Sequence, residues 1–161
     1  MTLGKRRSMR LSDGSTGYFV QRSDDCWRAA AATVLRIPIW HVPDPHFDAH
    51  LAAGQDPEKL DRSARAEFAT WLASRGLRMT IHAEKLPLKE ERWIGVVPLD
   101  GWFNSHCLVM RRDRLLFDPA NFTAASRTPL WLHTVLWSAR DIRVGYSFRA
   151  AAARSKREGV N

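Results

Sequence analysis

The hydrophobic pattern changes period near Gly76, and that change limits the chain to few architectures. Upstream lie two stretches with helical signals; downstream the apolar runs are short and punctuated by turn residues. The first stretch, Cys26 to Leu35 (CWRAAAATVL), is rich in alanine and free of Gly and Pro, which predicts a helix. Ser23, Asp24 and Asp25 stand just before it, where capping residues belong. A second helix is expected from Asp56-Pro57, an N-cap with proline in the first turn, to about Ser74, with Gly76 as the stop. Leu60, Ala64, Phe68, Trp71 and Leu72 recur at helical spacing and form its expected buried stripe. Between the two, Pro38, Pro43 and Pro45 predict a mostly irregular segment.

Strands are expected at Arg78 to Ala83, Trp93 to Leu99, His106 to Met110, Arg114 to Phe117 and Asp141 to Phe148. The polar turn Arg111-Arg112-Asp113 makes a hairpin of the third and fourth. Near the start, Asp13-Gly14-Ser15 reads as a turn leading into a short strand at Tyr18 to Val20. Thr128 to Trp137 predicts a short helix after Pro129. Helices first and an antiparallel sheet second make an α+β fold, with N-terminal helices packed on the sheet.

A chain of 161 residues is long enough for one hydrophobic core and suggests a single domain. Its net charge of +8 is concentrated at the ends. Lys5, Arg6, Arg7 and Arg10 supply +4, and Arg149, Arg154, Lys156 and Arg157 against Glu158 supply +3, which leaves a body near +1. The expected organisation is therefore a basic tail over 1–10, a folded body over 11–148 and a basic tail over 149–161. Such tails suit an acidic partner. A basic groove is missing from the body, so nucleic acid is an unlikely principal ligand. No apolar run reaches the length of a membrane span, and MTLGKRRSMR lacks the apolar stretch of a signal peptide. With only Cys26 and Cys107, neither a disulfide framework nor a four-thiolate zinc site can form. A cytoplasmic protein is the expectation.

Chemistry enters with Cys26. A thiol at the start of a helix lies near unsatisfied N–H groups and the positive end of the helix dipole, which favours the nucleophilic thiolate. A small buried hydrophobe is the plainer alternative. His106 begins a strand directly after the polar Asn104-Ser105. If the hairpin turn centres on Arg112, His106 lies opposite Asp118, with Cβ atoms about 5 Å apart on one face. A turn centred half a step later keeps the two as near neighbours. Asp118 can then orient the imidazole and stabilise its cation, the arrangement of a nucleophile, a base and an orienting acid. Cys107, next to the histidine, points to the other face and reads as core packing. For a developing oxyanion, the Cys26 N–H is one donor, and the Gln21 side chain is the best candidate for another.

These residues resemble the papain-like cysteine peptidases. QRSDDCW followed by SHCLVM-RRD-RLLFDPA is most similar to the compact C39-like branch, the bacteriocin-leader peptidases and their phage relatives. The likeness spans most of residues 18–148. It implies a papain-like fold, with Cys26 as nucleophile, His106 as general base and acid, Asp118 as orienting residue and Gln21 as oxyanion donor. The spacing from Gln21 to Cys26 is one residue shorter than is usual in that pattern, and Trp27 stands where a glycine is common. Trp27, Trp102 and Asn104 are candidates for substrate contact. The implied reaction is cleavage of a peptide or isopeptide amide through a thioester acyl-enzyme, with no cofactor. A microbial or phage processing enzyme acting on a peptide or protein substrate fits this pattern.

Two rivals use the same residues differently, and a third uses others. An acyltransferase or deamidase would employ the same thiol and imidazole. A non-cleaving protein would keep the cleft only to bind. A metal-binding loop could be built from HVPDPHFDAH, where His46 and His50 would share a helix face, with His41, Asp44 and Asp48 nearby. Pro43 and Pro45 oppose a helix at its start, and a loop over the cleft is the plainer reading. No Gly-x-Ser-x-Gly elbow points to a serine hydrolase.

Overall fold

The alanine-rich stretch forms helix α1, Cys26–Leu35, with the predicted bounds. Ala29 to Val34 are all buried along it, so small side chains let the helix axis lie close to its neighbours. Arg36, in the left-handed conformation, ends it. This computed structural model describes residues 8–19, 25–98, 105–120 and 138–151. Before α1 lie two short strands, β1 (Ser8–Arg10) and β2 (Thr16–Tyr18), paired antiparallel. After it come a 3-10 turn at Ile39–His41, helix α2 (Phe47–Ala52) and helix α3 (Pro57–Ser74). Asp56 caps α3 by accepting from the N–H groups of Glu58 and Lys59. Phe68 and Leu72 are the fully buried members of its expected stripe, while Leu60, Ala64 and Trp71 are half-buried.

The strands that follow form one antiparallel sheet in the order β3-β7-β4-β5-β6. They are β3 (Leu77–His82), β4 (Trp93–Pro98), β5 (Ser105–Arg111), β6 (Arg114–Phe117) and β7 (Val144–Ala150). The protein is thus an α+β structure with a five-stranded antiparallel sheet. Both faces of the central strands are covered. Ile94, Cys107, Val109 and Phe117 join Ala30, Val34, Phe68 and Leu72 in the larger core. Trp93, Val97, Leu108, Met110 and Ile142 form a second cluster. Since side chains alternate along a strand, successive residues of β5 point to different clusters.

Several expectations shift. The first strand pair begins earlier than Tyr18 and uses Ser8–Arg10, residues expected to belong to a tail. Arg149 and Ala150 likewise lie within β7, paired with Arg78 and Leu77. The proline-rich segment is mostly irregular, as expected, with a 3-10 turn at Ile39–His41 and α2 once Pro45 is passed. Asp25 occupies the N-cap position of α1, but its side chain makes no capping hydrogen bond. The helix expected at Thr128 to Trp137 lies outside the described residues.

A buried guanidinium ties the early hairpin to α1 and the sheet. Arg92, just before β4, donates to the Thr33 carbonyl at 2.8 Å and to the Asp13 carboxylate and the Ser15 hydroxyl. The Asp13 carboxyl is held well below the ordinary carboxylate range, first by the Ser15 hydroxyl and then, against the opposing effect of burial, by Arg92. Removing the carboxylate leaves a buried cation without its counter-ion. Asp13→Ala is expected to lower the unfolding free energy by about 3 kcal/mol in urea titration. Because the folded-state pKa is depressed, the wild-type advantage is present above the ordinary carboxylate pKa and fades as pH falls below it. A substitution without effect at pH 7 would show that the ion pair contributes nothing to stability.

Candidate active site

Cys26 is the first residue of α1, so its sulfur sits at the positive end of the helix dipole. That end of the helix lies against the start of β5. The Cys26 thiol is 3.9 Å from the Ser105 carbonyl oxygen, to which it donates. His106 follows, buried at 4% exposure, and its Nε2 lies 2.7 Å from Asp118 Oδ1. The same carboxylate oxygen accepts from the Ala120 N–H at 2.9 Å. With Nε2 committed to Asp118, Nδ1 is the ring nitrogen left to hydrogen bond with the Cys26 thiol. The structure therefore brings Cys26, His106 and Asp118 together.

The route from hairpin to pair differs from the expected register. The turn centres half a step beyond Arg112, so Arg111 faces Arg114 and Met110 faces Leu115. Continued unchanged, that register would place even residues of β5 against odd residues of β6 and separate His106 from Asp118 by face. A β-bulge between Val109 and Met110 adds one residue, and Val109 then pairs with Phe117. Parity is restored. Asp118 comes to lie diagonally across from His106 rather than directly opposite it, still within reach of an imidazole.

The electrostatics follow from these contacts. Hydrogen bonds from Cys107 lower the Cys26 pKa first. Burial opposes them, and the hydrogen bond and charge of His106 complete a shift to well below the ordinary thiol value. Burial alone would discharge His106. The hydrogen bond to Asp118, the Cys26 contact and the charges of both overcome it and raise the imidazole pKa to about 9. Cys107 moves the opposite way. Its proton is held by the Cys26 sulfur, and burial adds to the rise. Together these contacts favour charge on the Cys26 sulfur and on the imidazole and keep Cys107 neutral.

Cys107 is the residue that sequence reasoning underused. It is in the core, as expected from its place after His106, yet Cys26 packs against that same cluster and Cys107 lowers its pKa. A signal was present: a helix-opening cysteine packed on the start of a strand meets consecutive residues of that strand, not the histidine alone. Trp27, a substrate-contact candidate, instead packs its ring edge-to-face against Phe68 at 5.4 Å and Tyr146 at 4.8 Å. That places it in the contact between α1, α3 and the sheet. Gln21, Trp102 and Asn104 lie outside the described residues.

In the histidine-rich loop the described residues do not take up the arrangement expected for a shared helix face. His46 precedes α2 in a left-handed conformation, so it does not share a helical face with His50. Asp44 is engaged by Arg28 at 3.4 Å and by the His46 N–H at 3.1 Å. Among the described residues no group of three His, Cys, Asp or Glu side chains is arranged to hold a metal ion. No protein-family model matches the chain, and no curated protein or solved structure is significantly similar to it.

The ion pair makes a direct prediction. Iodoacetamide should alkylate Cys26 far faster than Cys107 at pH 7. The Cys26 rate should fall less between pH 8 and 6 than that of an ordinary thiol, because the Cys26 pKa is depressed and the imidazole, raised to about 9, stays charged over that range. His106→Ala removes one of the stabilising contacts, so the rate should drop at pH 7 and recover toward alkaline pH. Mass spectrometry of the labelled peptides measures both thiols, and equal slow labelling of the two would rule out an activated Cys26.

Proposed function

We propose that this protein is a cysteine peptidase-like hydrolase of papain-like arrangement, similar to the C39-like branch, that attacks a peptide or isopeptide amide. The observation that carries the reading is the buried His106–Asp118 hydrogen bond standing behind a helix-opening thiol. Cys26 would attack the carbonyl carbon as thiolate. The Cys26 N–H lies at a helix N-terminus, where it can donate to the developing oxyanion, and Gln21 is the second candidate donor. His106 would pass its proton to the leaving amine, producing a thioester on Cys26. It would next take a proton from water, which resolves the thioester. Asp118 holds the ring in the required orientation and supports its positive charge throughout. None of these steps calls for a cofactor.

The substrate class is a peptide or protein, and processing in a bacterial or phage-infected cytoplasm fits the resemblance. No described helix is long and apolar enough to cross a membrane. The arginines and lysines near the two ends suit an acidic partner.

An activated ester tests the chemistry without knowledge of the substrate. With p-nitrophenyl acetate, the wild-type chain should release a burst of about one nitrophenolate per molecule and carry an acetyl group on Cys26. Cys26→Ala should give no burst, His106→Ala should slow acylation by about 10²–10⁴-fold, and Asp118→Asn should reduce it by up to about 10⁴-fold. A diverse peptide mixture should then be cleaved by wild type and left intact by Cys26→Ala. Acylation at the same rate in His106→Ala would sink the assigned mechanism. A stable acyl-enzyme discharged by added amines but not by water would redirect the reading to acyl transfer.

A further inference from the structure

The chain has two cysteines, and the fold brings them to one place. Cys26 opens α1, and Cys107 is the third residue of β5. The Cys26 side chain packs against the buried cluster that contains Cys107. Its sulfur is within 3.9 Å of the carbonyl oxygen of Ser105, two positions before Cys107. The two differ in access: Cys107 is buried at 4% exposure, whereas Cys26 is half-buried. A reagent entering from solvent meets Cys26 first, with Cys107 behind it.

We propose that Cys26 and Cys107 form an oxidation-sensitive pair, in which a peroxide oxidises Cys26 and Cys107 captures the product as a reversible disulfide. The inference rests on the reading of Cys26 as a reactive thiolate. In the first step the Cys26 sulfur attacks a peroxide oxygen. An S–O bond forms, the O–O bond breaks, and hydroxide or an alkoxide leaves with the electron pair. Cys26 is then a sulfenic acid. In the second step the Cys107 sulfur attacks the Cys26 sulfur. An S–S bond forms, the S–O bond breaks, and the departing hydroxide takes the Cys107 proton as water. The two thiols lose two electrons and the peroxide gains them.

Position decides what this does. The Cys26 sulfur, 3.9 Å from the Ser105 carbonyl, already lies against the strand that carries Cys107, so closure asks for side-chain rotation and an approach of α1 to β5. Oxidation removes the nucleophile and stops acyl transfer. Two equivalents of a small thiol restore both cysteines. Capture by Cys107 also keeps the sulfenic acid from advancing to the sulfinic acid, which thiols do not reduce.

Hydrogen peroxide on the full-length chain at neutral pH is the test, read by intact mass and by peptide mapping without reductant. The expected result is a mass loss of two hydrogens and one cross-linked peptide pair containing Cys26 and Cys107. Dithiothreitol should then return both thiols and the nitrophenolate burst. In Cys107→Ser the same treatment should leave Cys26 as sulfinic acid, with no recovery by dithiothreitol. Sulfinic acid on Cys26 beside an unmodified Cys107 in the wild-type chain would overturn the pair, and that result needs no variant to fold. The functional reading fails separately. A disulfide with no acylation of Cys26 by the ester keeps the pair and removes the hydrolase, whereas acylation without a disulfide does the reverse.

Discussion

The hydrogen bond between His106 and Asp118 is the contact on which the site depends. A carboxylate and an imidazole both buried below a tenth of their surface are costly to charge, and each is tolerable only because the other is present. Burial is the largest single influence on His106, and it favours the neutral ring. The ring is nevertheless held as a cation up to about pH 9, because Asp118 and Cys26 act on it from two sides. Charge in this site therefore depends on contact geometry. A ring turned away from Asp118 would lose its proton, and Cys26 would lose the cation that helps keep it a thiolate. The second hydrogen bond to Asp118, from the Ala120 N–H, fixes the carboxylate in turn and ties it to the chain just beyond β6.

The scaffold delivers these groups through three consecutive residues. Ser105, His106 and Cys107 each offer Cys26 something different: a carbonyl oxygen, an imidazole and a thiol with its backbone N–H. Alternation would ordinarily send His106 and Cys107 to separate surroundings, and along most of β5 it does. At the strand's first residues, against the end of α1, one sulfur can meet both. The placement of α1 is set by its composition. Buried alanines allow the helix to approach the sheet, and Trp27, wedged against Phe68 and Tyr146, fixes its rotation one residue away from the thiol. Arg92 adds a polar tie from the early hairpin to the last turns of the same helix.

Much of this was legible because local signals and the fold agree. Both long helices follow from alanine content, the Asp56-Pro57 start and the Gly76 stop, and the strands follow from short apolar runs between turns. The triad was legible because its members sit on elements with clear periodicity. What escaped was whatever depends on irregularity or on partners distant in sequence. The bulge at Val109 and Met110 leaves no composition signature, so the expected direct opposition of His106 and Asp118 came out diagonal. β1 is three exposed residues that become a strand only because β2 pairs with them. Trp27 reads as a possible cleft wall until α3 and β7 close over it. Cys107 reads as packing until the end of α1 is placed.

In the proposed reading, that last residue makes the site reactive and vulnerable for the same physical reason. A thiolate in a poorly solvated place needs donors, and the Cys26 sulfur takes them from His106, from the Cys107 backbone and from the Cys107 thiol. The imidazole supplies charge, which is what catalysis at a carbonyl requires. The neighbouring thiol supplies a hydrogen bond, a service that a serine hydroxyl would also perform and that an alanine would omit while leaving the core apolar. Sulfur at position 107 adds one capacity that neither replacement has, which is bonding to another sulfur. Under the proposed reading, a sulfur nucleophilic enough to attack an amide would also attack peroxides, and the residue able to make that oxidation reversible is the cysteine beside it.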